Sequence, residues 1–324
     1  KGATVGTVHL VVMIVGFGLA GYSIVANDAI QTLGTFLSSN SKRPWWLLWL
    51  YACTILTVVL VYSYVAYSGD VTYGRLDSFP EVDLTWMYLI PPLVILILTR
   101  LGVPVSTTFL VLTLFAPQNM GSMLIKSLLG YAVAFFVAII LYRFVIRRLT
   151  EYFDRTQDLP VKKYWYVLQW CSTGFLWAQW LVQDLANIYV YLPRHLSPTY
   201  FIATVVFLLI LHAFIFYTSG GEIQKIVTSK TGTADIRAAT IIDFMYGFIL
   251  MVFKEASHMP MSTTWVFLGL LAGREFAIAT HMYQPSVRET AKVVARDAGK
   301  AAFGLAISVA LAAALPWLNG LITY

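Results

Sequence analysis

Two copies of a short hydroxyl-rich motif lie inside strongly apolar sequence. Both read Pro-x-Ser-Thr-Thr, at residues 104–108 and 260–264. Proline suits the first turn of a helix and Ser or Thr suits its N-cap, so each motif predicts the start of a half-helix. A helix N-terminus offers free N–H groups and about half a positive charge, which favours anions. The candidate anion-binding residues are Ser106, Thr107, Thr108, Ser262, Thr263 and Thr264. The alternative is that these hydroxyls are ordinary caps that bond only to backbone.

A second pair of motifs combines an Asp with amide side chains where apolar segments end. The candidate cation ligands are Asn27, Asp28, Gln31, Gln183, Asp184 and Asn187. An ionised carboxylate inside a membrane is costly unless it is paired. Each Asp is therefore expected to bind Na⁺ with neighbouring amide and carbonyl oxygens, or to carry a proton. The alternative is an Asp that caps a helix at the membrane surface.

The two kinds of motif recur at a fixed spacing. Ser106 follows Asp28 by 78 positions, and Ser262 follows Asp184 by the same 78 positions. Because the repeated residues are polar, apolar filler does not explain the period of 156 residues. We predict two repeats, residues 1–146 and 164–324, joined by a charged cytoplasmic linker at residues 147–163.

The composition places the chain in a membrane. Of its 324 residues, 59% are hydrophobic and 12% are charged, and the mean hydropathy is +0.72. Soluble domains carry about 25% charged residues. Cys53 and Cys171 lie in apolar runs, which argues against a disulfide or a cysteine-based metal site. No nucleic-acid motif is evident, and the basic clusters flank apolar segments as at a membrane surface.

The predicted fold is an all-α polytopic membrane protein with two inverted repeats, discontinuous helices and re-entrant hairpins. Complete spans are expected at about residues 6–25, 45–67, 123–146, 164–182, 199–217 and 301–318. The interrupted segments at residues 86–115 and 241–272 are expected to form the hairpins. Residues 283–300 are charged and predict a surface helix before the last span.

The basic residues give an orientation. With three crossings and one hairpin per half, segments 42–43, 147–163, 219–237 and 283–300 share one side and hold 14 Lys and Arg. The positive-inside tendency puts this side in the cytoplasm and both termini outside the cell membrane. An odd number of crossings inverts the second half, which is typical of secondary transporters.

Several other polar residues have no clear role in the sequence. Asp243, Lys254, Glu255 and His258 lie in or beside the second interrupted segment, and their roles stay open. Arg100 and Lys126 could meet an anion. Because neither has a repeat partner, a structural or interfacial role is favoured for both.

The four motifs, in this order, resemble those of the inorganic phosphate transporter (PiT) family. That family carries an Asn-Asp motif and a Pro-Val-Ser-Thr-Thr-like motif in each inverted half. The matching positions are Asn27, Asp28, Gln31, Gly34 and Thr35, then 104–108, then Gln183, Asp184 and Asn187, then 260–264, with a similar polar loop at 221–227. The resemblance covers nearly the whole chain.

By this resemblance the chain is a cation-coupled symporter of an inorganic oxyanion that works by alternating access, with the residues named above as its sites. Phosphate is the first expected anion and sulfate the second. Na⁺ is the first expected coupling cation and H⁺ the second, and no cofactor is implied. The chain departs from the family at Gln31 and Gln183, which replace Asn, and at Phe109 and Trp265, which replace the usual His.

Two other classes of function would need different residues. An anion channel would need no cation site, so Asp28 and Asp184 would be dispensable. A membrane enzyme would need a base and a nucleophile within reach of each other, and the sequence shows no such set. The expected partners are phosphate or sulfate, Na⁺ and the lipid bilayer, with no nucleic acid, and a homodimer is one assembly left open.

Overall fold

The computed structural model describes residues 2–101, 105–146, 148, 152, 155–156, 161–218, 236–256, 258–282 and 287–322. Within these ranges the regular structure is entirely helical, which confirms the all-α prediction. Six helical segments in the same ranges are long and apolar enough to cross a membrane. Most of the predicted linker, the loop at 221–227 and residues 102–104 lie outside the described residues.

The helices follow the predicted order in each half. The first half contains α1 (Gly2–Ile24), α2 (Ile30–Ser39), α3 (Trp45–Ala66), α4 (Ile90–Arg100), α5 (Thr107–Phe115) and α6 (Met120–Leu141). The second half contains α7 (Lys163–Tyr189), α8 (Pro198–Tyr217), α9 (Ile236–Ala256), α10 (Thr263–Met282) and α11 (Val287–Ile322). Single turns at Trp86–Leu89 and Pro117–Asn119 are 3₁₀-helical, and those at Val25–Ala29 and Tyr142–Ile146 are π-helical.

The sequence suggested that the first span ends before Asp28. In the structure the helix continues past this residue. The chain stays helical from Gly2 to Ser39, with one π-helical turn at Val25–Ala29 that contains Asp28. Asp184 likewise lies inside α7 rather than at its end. Residues 30–37 are buried against protein, so they can be polar and still form a helix inside the molecule. A π-helical turn within an α-helix is frequently a functional feature.

Each half contains one helix–break–helix hairpin, and these are the predicted discontinuous helices. The first hairpin is α4 and α5, with 11 and 9 residues. The second is α9 and α10, with 21 and 20 residues, so it extends beyond the predicted range of 241–272. At 1.5 Å per residue its arms are about 30 Å long. The two hairpins therefore have the same design but different lengths.

The last helix combines two elements that the sequence had separated. α11 runs for 36 residues without a break, so residues 287–300 are not a separate surface helix. This stretch is rich in Ala, Arg, Lys and Glu, which favour helix, and it contains no proline. Its charges alone had suggested a boundary, but charge does not interrupt a helix.

The two halves interlock through their hairpins. α6 packs along α10 of the other half, and α11 packs against α5, so the last helix of each half holds the other half's hairpin. The α6–α10 contact is very close. A Cβ on Gly269 would lie 2.4 Å from the carbonyl oxygen of Tyr131, and one on Gly273 would lie 2.2 Å from that of Phe135. Small residues four apart allow such close approach of membrane helices.

Among the described residues, two pairs of connecting segments meet near opposite ends of α7. At one end the Leu196 N–H donates to the Gly69 carbonyl at 3.0 Å, which joins the loops after α3 and α7. Near the other end Arg237 Nη1 donates to Thr156 Oγ1 at 2.8 Å, which joins the linker to the start of α9. A helix of 27 residues, about 40 Å long, separates the groups. This grouping matches the two sides inferred from charge, and which side is cytoplasmic stays a prediction.

Candidate functional site

Both hydroxyl motifs begin a helix, as expected. Ser106 Oγ accepts a hydrogen bond from the Phe109 N–H at 3.3 Å, and Ser262 Oγ accepts one from the Trp265 N–H at 3.3 Å. The two serines are thus N-caps of α5 and α10, which is the role that the alternative interpretation gave them. A capping hydroxyl still has its own proton to donate. The capping role and an anion-binding role are therefore compatible.

The tips of the two hairpins bond to each other reciprocally. Thr108 Oγ1 donates to the Met261 carbonyl at 3.2 Å, and Thr264 Oγ1 donates to the Val105 carbonyl at 3.3 Å. These are equivalent positions in the two repeats, each pair being 156 residues apart. The helix starts at Thr107 and Thr263 are both buried. The hairpins therefore meet with their N-terminal ends in one buried cluster.

The acidic motif of the first half contacts this cluster directly. Asp28 Oδ2 accepts from Thr107 Oγ1 at 2.5 Å, and its Oδ1 accepts from Asn27 Nδ2 at 2.9 Å. Gln31 Nε2 in turn donates to Asn27 Oδ1 at 3.2 Å. The side chain of Thr264 also lies against the Asp28 carboxylate. Asp28, carried by the π-helical turn, thus touches the hydroxyls of both hairpins.

The acidic motif of the second half enters the same cluster through an amide. Asn187 Nδ2 lies 2.8 Å from Asp184 Oδ1, 3.1 Å from Thr108 Oγ1 and 3.3 Å from Thr107 Oγ1. Gln183 turns its Nε2 to the Leu250 carbonyl of α9 at 3.2 Å. All six predicted cation ligands and all six predicted anion ligands are buried, and their motifs converge on one site.

Three buried oxygen atoms of the second acidic motif have no hydrogen-bond donor among the described residues. They are Gln183 Oε1, Asp184 Oδ2 and Asn187 Oδ1. A buried acceptor without a donor costs about 1–3 kcal/mol. Oxygens from one carboxylate and two amides suit a hard cation such as Na⁺. The residues therefore fit a bound cation.

Two buried carboxyl groups lie in this cluster, and a bound cation would favour their ionised form. Asp28 and Asp184 are 2% and 0% exposed and repel each other. Arg75, in the loop after α3, attracts Asp184. An oxyanion at the helix starts would add to the repulsion unless cations were bound too.

Two contacts of the hydroxyl motifs were missed by sequence reasoning. Ser127 Oγ of α6 accepts from the Ser262 N–H at 2.8 Å. Tyr246 of α9 donates its hydroxyl to the Thr263 carbonyl at 2.9 Å. Neither residue belongs to a repeated motif, so no spacing signal could have found them. The residues that replace the family's His, Phe109 and Trp265, pack with ring centroids 6.2 Å apart.

Asp243, left open by the sequence, belongs to a second buried polar network. Its carboxylate accepts from Thr35, and from Thr173 Oγ1 at 2.5 Å. Gln169 Nε2 donates to Thr173 Oγ1 at 3.1 Å. This network joins α2, α7 and α9, and it supplies a donor to both oxygens of Asp243.

The remaining charges near the second hairpin have different surroundings. Lys254 and Glu255 form an ion pair of 3.2 Å, with side chains 30% and 70% exposed. His258 is exposed, whereas Lys126 is 8% exposed and donates to the Met259 carbonyl at 2.6 Å. Arg100 is exposed at the end of α4. Of these residues, Lys126 holds the hairpin tip directly.

The comparison with known proteins supports the fold. No protein-family model matches the sequence, and no curated protein matches it. Among solved structures, one described as "The sodium-dependent phosphate transporter" is similar with a TM-score of 0.61 and 16% sequence identity. The similarity covers 98% of this chain and 100% of that chain. The resemblance found in the motifs is thus confirmed at the level of the fold, which this chain shares with that transporter.

Proposed function

We propose that this protein is a secondary transporter that carries an inorganic oxyanion together with a cation, phosphate with Na⁺ being the first choice. The observation behind the proposal is the single buried cluster in which two helix starts meet two carboxylate–amide motifs. The fold shared with a sodium-dependent phosphate transporter supports it.

The anion would bind where α5 and α10 begin. There the hydroxyls of Ser106 and Ser262 and the N–H groups of the first helical turns can all donate. Thr107, Thr108, Thr263 and Thr264 can turn their hydroxyls from their present acceptors to an anion. Two helix N-termini add partial positive charge on opposite sides of it. This donor-rich arrangement favours a tetrahedral oxyanion over a neutral solute.

The cation would bind to the oxygens that lack donors. Gln183 Oε1, Asp184 Oδ2 and Asn187 Oδ1 are candidates in the second half. Asn27, Asp28 and Gln31 are the equivalent residues in the first half. Because anion and cation attract each other across Thr107 and Thr108, each should raise the other's affinity by the same factor.

Alternating access follows from the arrangement of the hairpins. The first hairpin enters from the side of the loops after α3 and α7, and the second enters from the side of the linker. We place residues 1–146 and 164–324 as inverted repeats, the linker at 147–163 in the cytoplasm and both termini outside. Withdrawal of one hairpin tip from the cluster would then open the site to one side only.

Uptake into proteoliposomes tests the proposal. Labelled phosphate and labelled sulfate should be compared under an inward Na⁺ gradient, an inward proton gradient and no gradient. We expect uptake of phosphate that depends on Na⁺. Faster uptake of sulfate would identify sulfate as the preferred anion. Uptake driven by a proton gradient alone would identify H⁺ as the coupling cation.

A matched pair of variants separates carrier from channel. Asp28→Asn should abolish the Na⁺ dependence, whereas Asp77→Asn, in the loop after α3, should not. Anion flux in the parent that ignores both Na⁺ and pH would contradict the proposal and favour an anion channel.

A further inference from the structure

Arg75 is a buried cation that the sequence had placed in an ordinary loop. The segment between α3 and the first hairpin is polar, yet Arg75 within it is only 2% exposed. Its Nη1 donates to the His258 carbonyl at 3.3 Å, at the tip of the second hairpin. Its Nε has no partner among the described residues. Arg75 therefore contacts a residue, His258, that is four positions before Ser262, and its Nε donor is unused.

The loop is folded so that it holds Arg75 in this position. Asp70 Oδ2 accepts from the Gly74 N–H at 2.7 Å, and its Oδ1 accepts from the N–H and hydroxyl of Thr72, both at 2.7 Å. Gly74 has a φ of +69°, which a residue with a side chain rarely adopts. This turn directs the next residue, Arg75, into the protein. The turn formed by Asp70, Thr72 and Gly74 thus positions a single buried guanidinium.

The hairpin tip is held by positive charge on a second side. Lys126 of α6 donates to the Met259 carbonyl at 2.6 Å, one residue from the carbonyl that Arg75 contacts. Arg75 and Lys126 thus donate to neighbouring carbonyls, so two basic side chains face the same short segment of the tip. Like charges this close are unfavourable unless negative charge compensates. Asp184 and Glu255 attract Arg75, and an anion would complete the compensation.

We propose that Arg75 is an oxyanion-binding residue, which receives the anion at the tip of the second hairpin and delivers it to the α10 helix start. The inference rests on the proposed function and adds the residue that supplies full positive charge. His258 beside it is exposed, so the tip is open to the side of the loops after α3 and α7. The anion would load from that side.

The charge balance at the site supports this role. In the cation-loaded site Asp28 and Asp184 would both be ionised, and the partial charges of the helix N-termini alone would not offset them together with an oxyanion. Burial lowers the pKa of Arg75 to about 10, which leaves it charged at neutral pH. A guanidinium presents a planar fork of donors that matches two oxygens of a phosphate or sulfate ion. Lysine would supply the charge without the fork.

Binding of phosphate and sulfate to the detergent-solubilised full chain tests the inference, with Kd measured at saturating Na⁺. Arg75→Gln should weaken oxyanion binding by about 10- to 150-fold, the range for a hydrogen bond to a charged group. Arg75→Lys should recover only part of the loss. Arg194→Gln is the matched control, because Arg194 also donates to main-chain carbonyls, of Phe79 and Pro80, but away from the hairpin tip.

Binding of Na⁺ without anion distinguishes an anion contact from a structural role. If Arg75 contacts the anion, Arg75→Gln should leave this Na⁺ affinity unchanged. A parallel loss of Na⁺ and oxyanion affinity would show that Arg75 only supports the hairpin tip and would overturn the inference. If Arg75→Gln does not fold, the test uses Arg75→Lys instead. An oxyanion Kd of Arg75→Lys equal to that of the parent would then overturn the inference. If the parent protein binds no oxyanion, the proposed function itself is refuted. If the parent binds an oxyanion and Arg75→Gln binds it with the same Kd, only this inference is refuted.

Discussion

The close contact between α6 and α10 predicts that replacing glycine by alanine changes stability in opposite directions at two positions. Gly273 lies inside this contact, and an added Cβ would be 2.2 Å from the Phe135 carbonyl oxygen and 2.9 Å from Ala138 Cβ. Gly299 of α11 is exposed and has nothing within 4 Å of its added Cβ. The same change, glycine to alanine within a helix, therefore meets backbone in one case and open space in the other.

The expected magnitudes follow from these distances. Carbon contacts are optimal near 3.5–4.0 Å, so Gly273→Ala must separate the two helices by roughly 1 Å. Overpacking of this kind costs about 1–3 kcal/mol. In an open helix the same change stabilises by about 0.5–1 kcal/mol. Gly273→Ala should therefore be less stable than Gly299→Ala by about 1.5–4 kcal/mol.

The displacement should also reach the site. α10 begins at Thr263, and the Thr264 hydroxyl lies 3.3 Å from the Val105 carbonyl. A shift of roughly 1 Å would break this bond, since hydrogen bonds weaken steeply beyond their normal range. Transport by Gly273→Ala should fall, whereas Gly299→Ala should keep the parent's rate.

Thermal unfolding in detergent, followed by tryptophan fluorescence, measures the stabilities, and uptake into proteoliposomes measures the transport. Equal unfolding temperatures for the two variants would refute the close packing. A destabilised Gly273→Ala that transports normally would instead show that α10 does not carry its displacement to the hairpin tips.

Three further predictions concern the site and the orientation. Asp184→Asn should flatten the Na⁺ dependence of oxyanion binding, because it removes the charge from the oxygens that lack donors; an unchanged dependence measured by Na⁺ titration would exclude Asp184 as a cation ligand. Ser106→Ala and Ser262→Ala should each weaken oxyanion binding by roughly 10- to 150-fold, as expected for one hydrogen bond to an anion of about 1.5–3 kcal/mol, whereas Ser308→Ala in α11 should not; parent-like Kd values would remove the serines from the anion site. Arg155→Cys should react with an impermeant thiol reagent only after the cell membrane is permeabilised, and labelling of intact cells would reverse the orientation.

Repetition in the sequence predicted which motifs lie together in the structure. Asp28 and Asp184 each precede a Ser-Thr-Thr by the same distance, and this regularity was sufficient to expect their convergence. The inversion of the halves explains why Thr108 and Thr264 bond across to each other's repeat. Side chains outside the repeats could not be placed in this way. Arg75 has no counterpart 156 residues later, where Thr231 stands, so only the folded loop reveals its burial.

Helix boundaries were harder to predict because polar or charged stretches were interpreted as the ends of helices. The sequence of α2 is polar for a membrane segment, yet it is helical because protein, not lipid, surrounds it. α11 begins with charged residues and continues into an apolar span without interruption. The π-helical turn at Val25–Ala29 leaves no mark in the composition. The tertiary contacts of a helix determine where it ends and where it contains a π-helical turn. These contacts cannot be inferred from a single sequence.

The reciprocal bonds between the hairpin tips have a consequence for how this chain can evolve. Thr108 donates to a carbonyl of the second repeat, and Thr264 donates to a carbonyl of the first. A one-residue insertion between Val105 and Thr108, or between Met261 and Thr264, would disturb both bonds at once, because each tip supplies one donor and one acceptor. Neither repeat forms a complete cluster without the other. The descendants of an ancestral duplication would therefore be free to diverge in arm length, as the 9- and 20-residue helices have, but not in the register of the residues that meet.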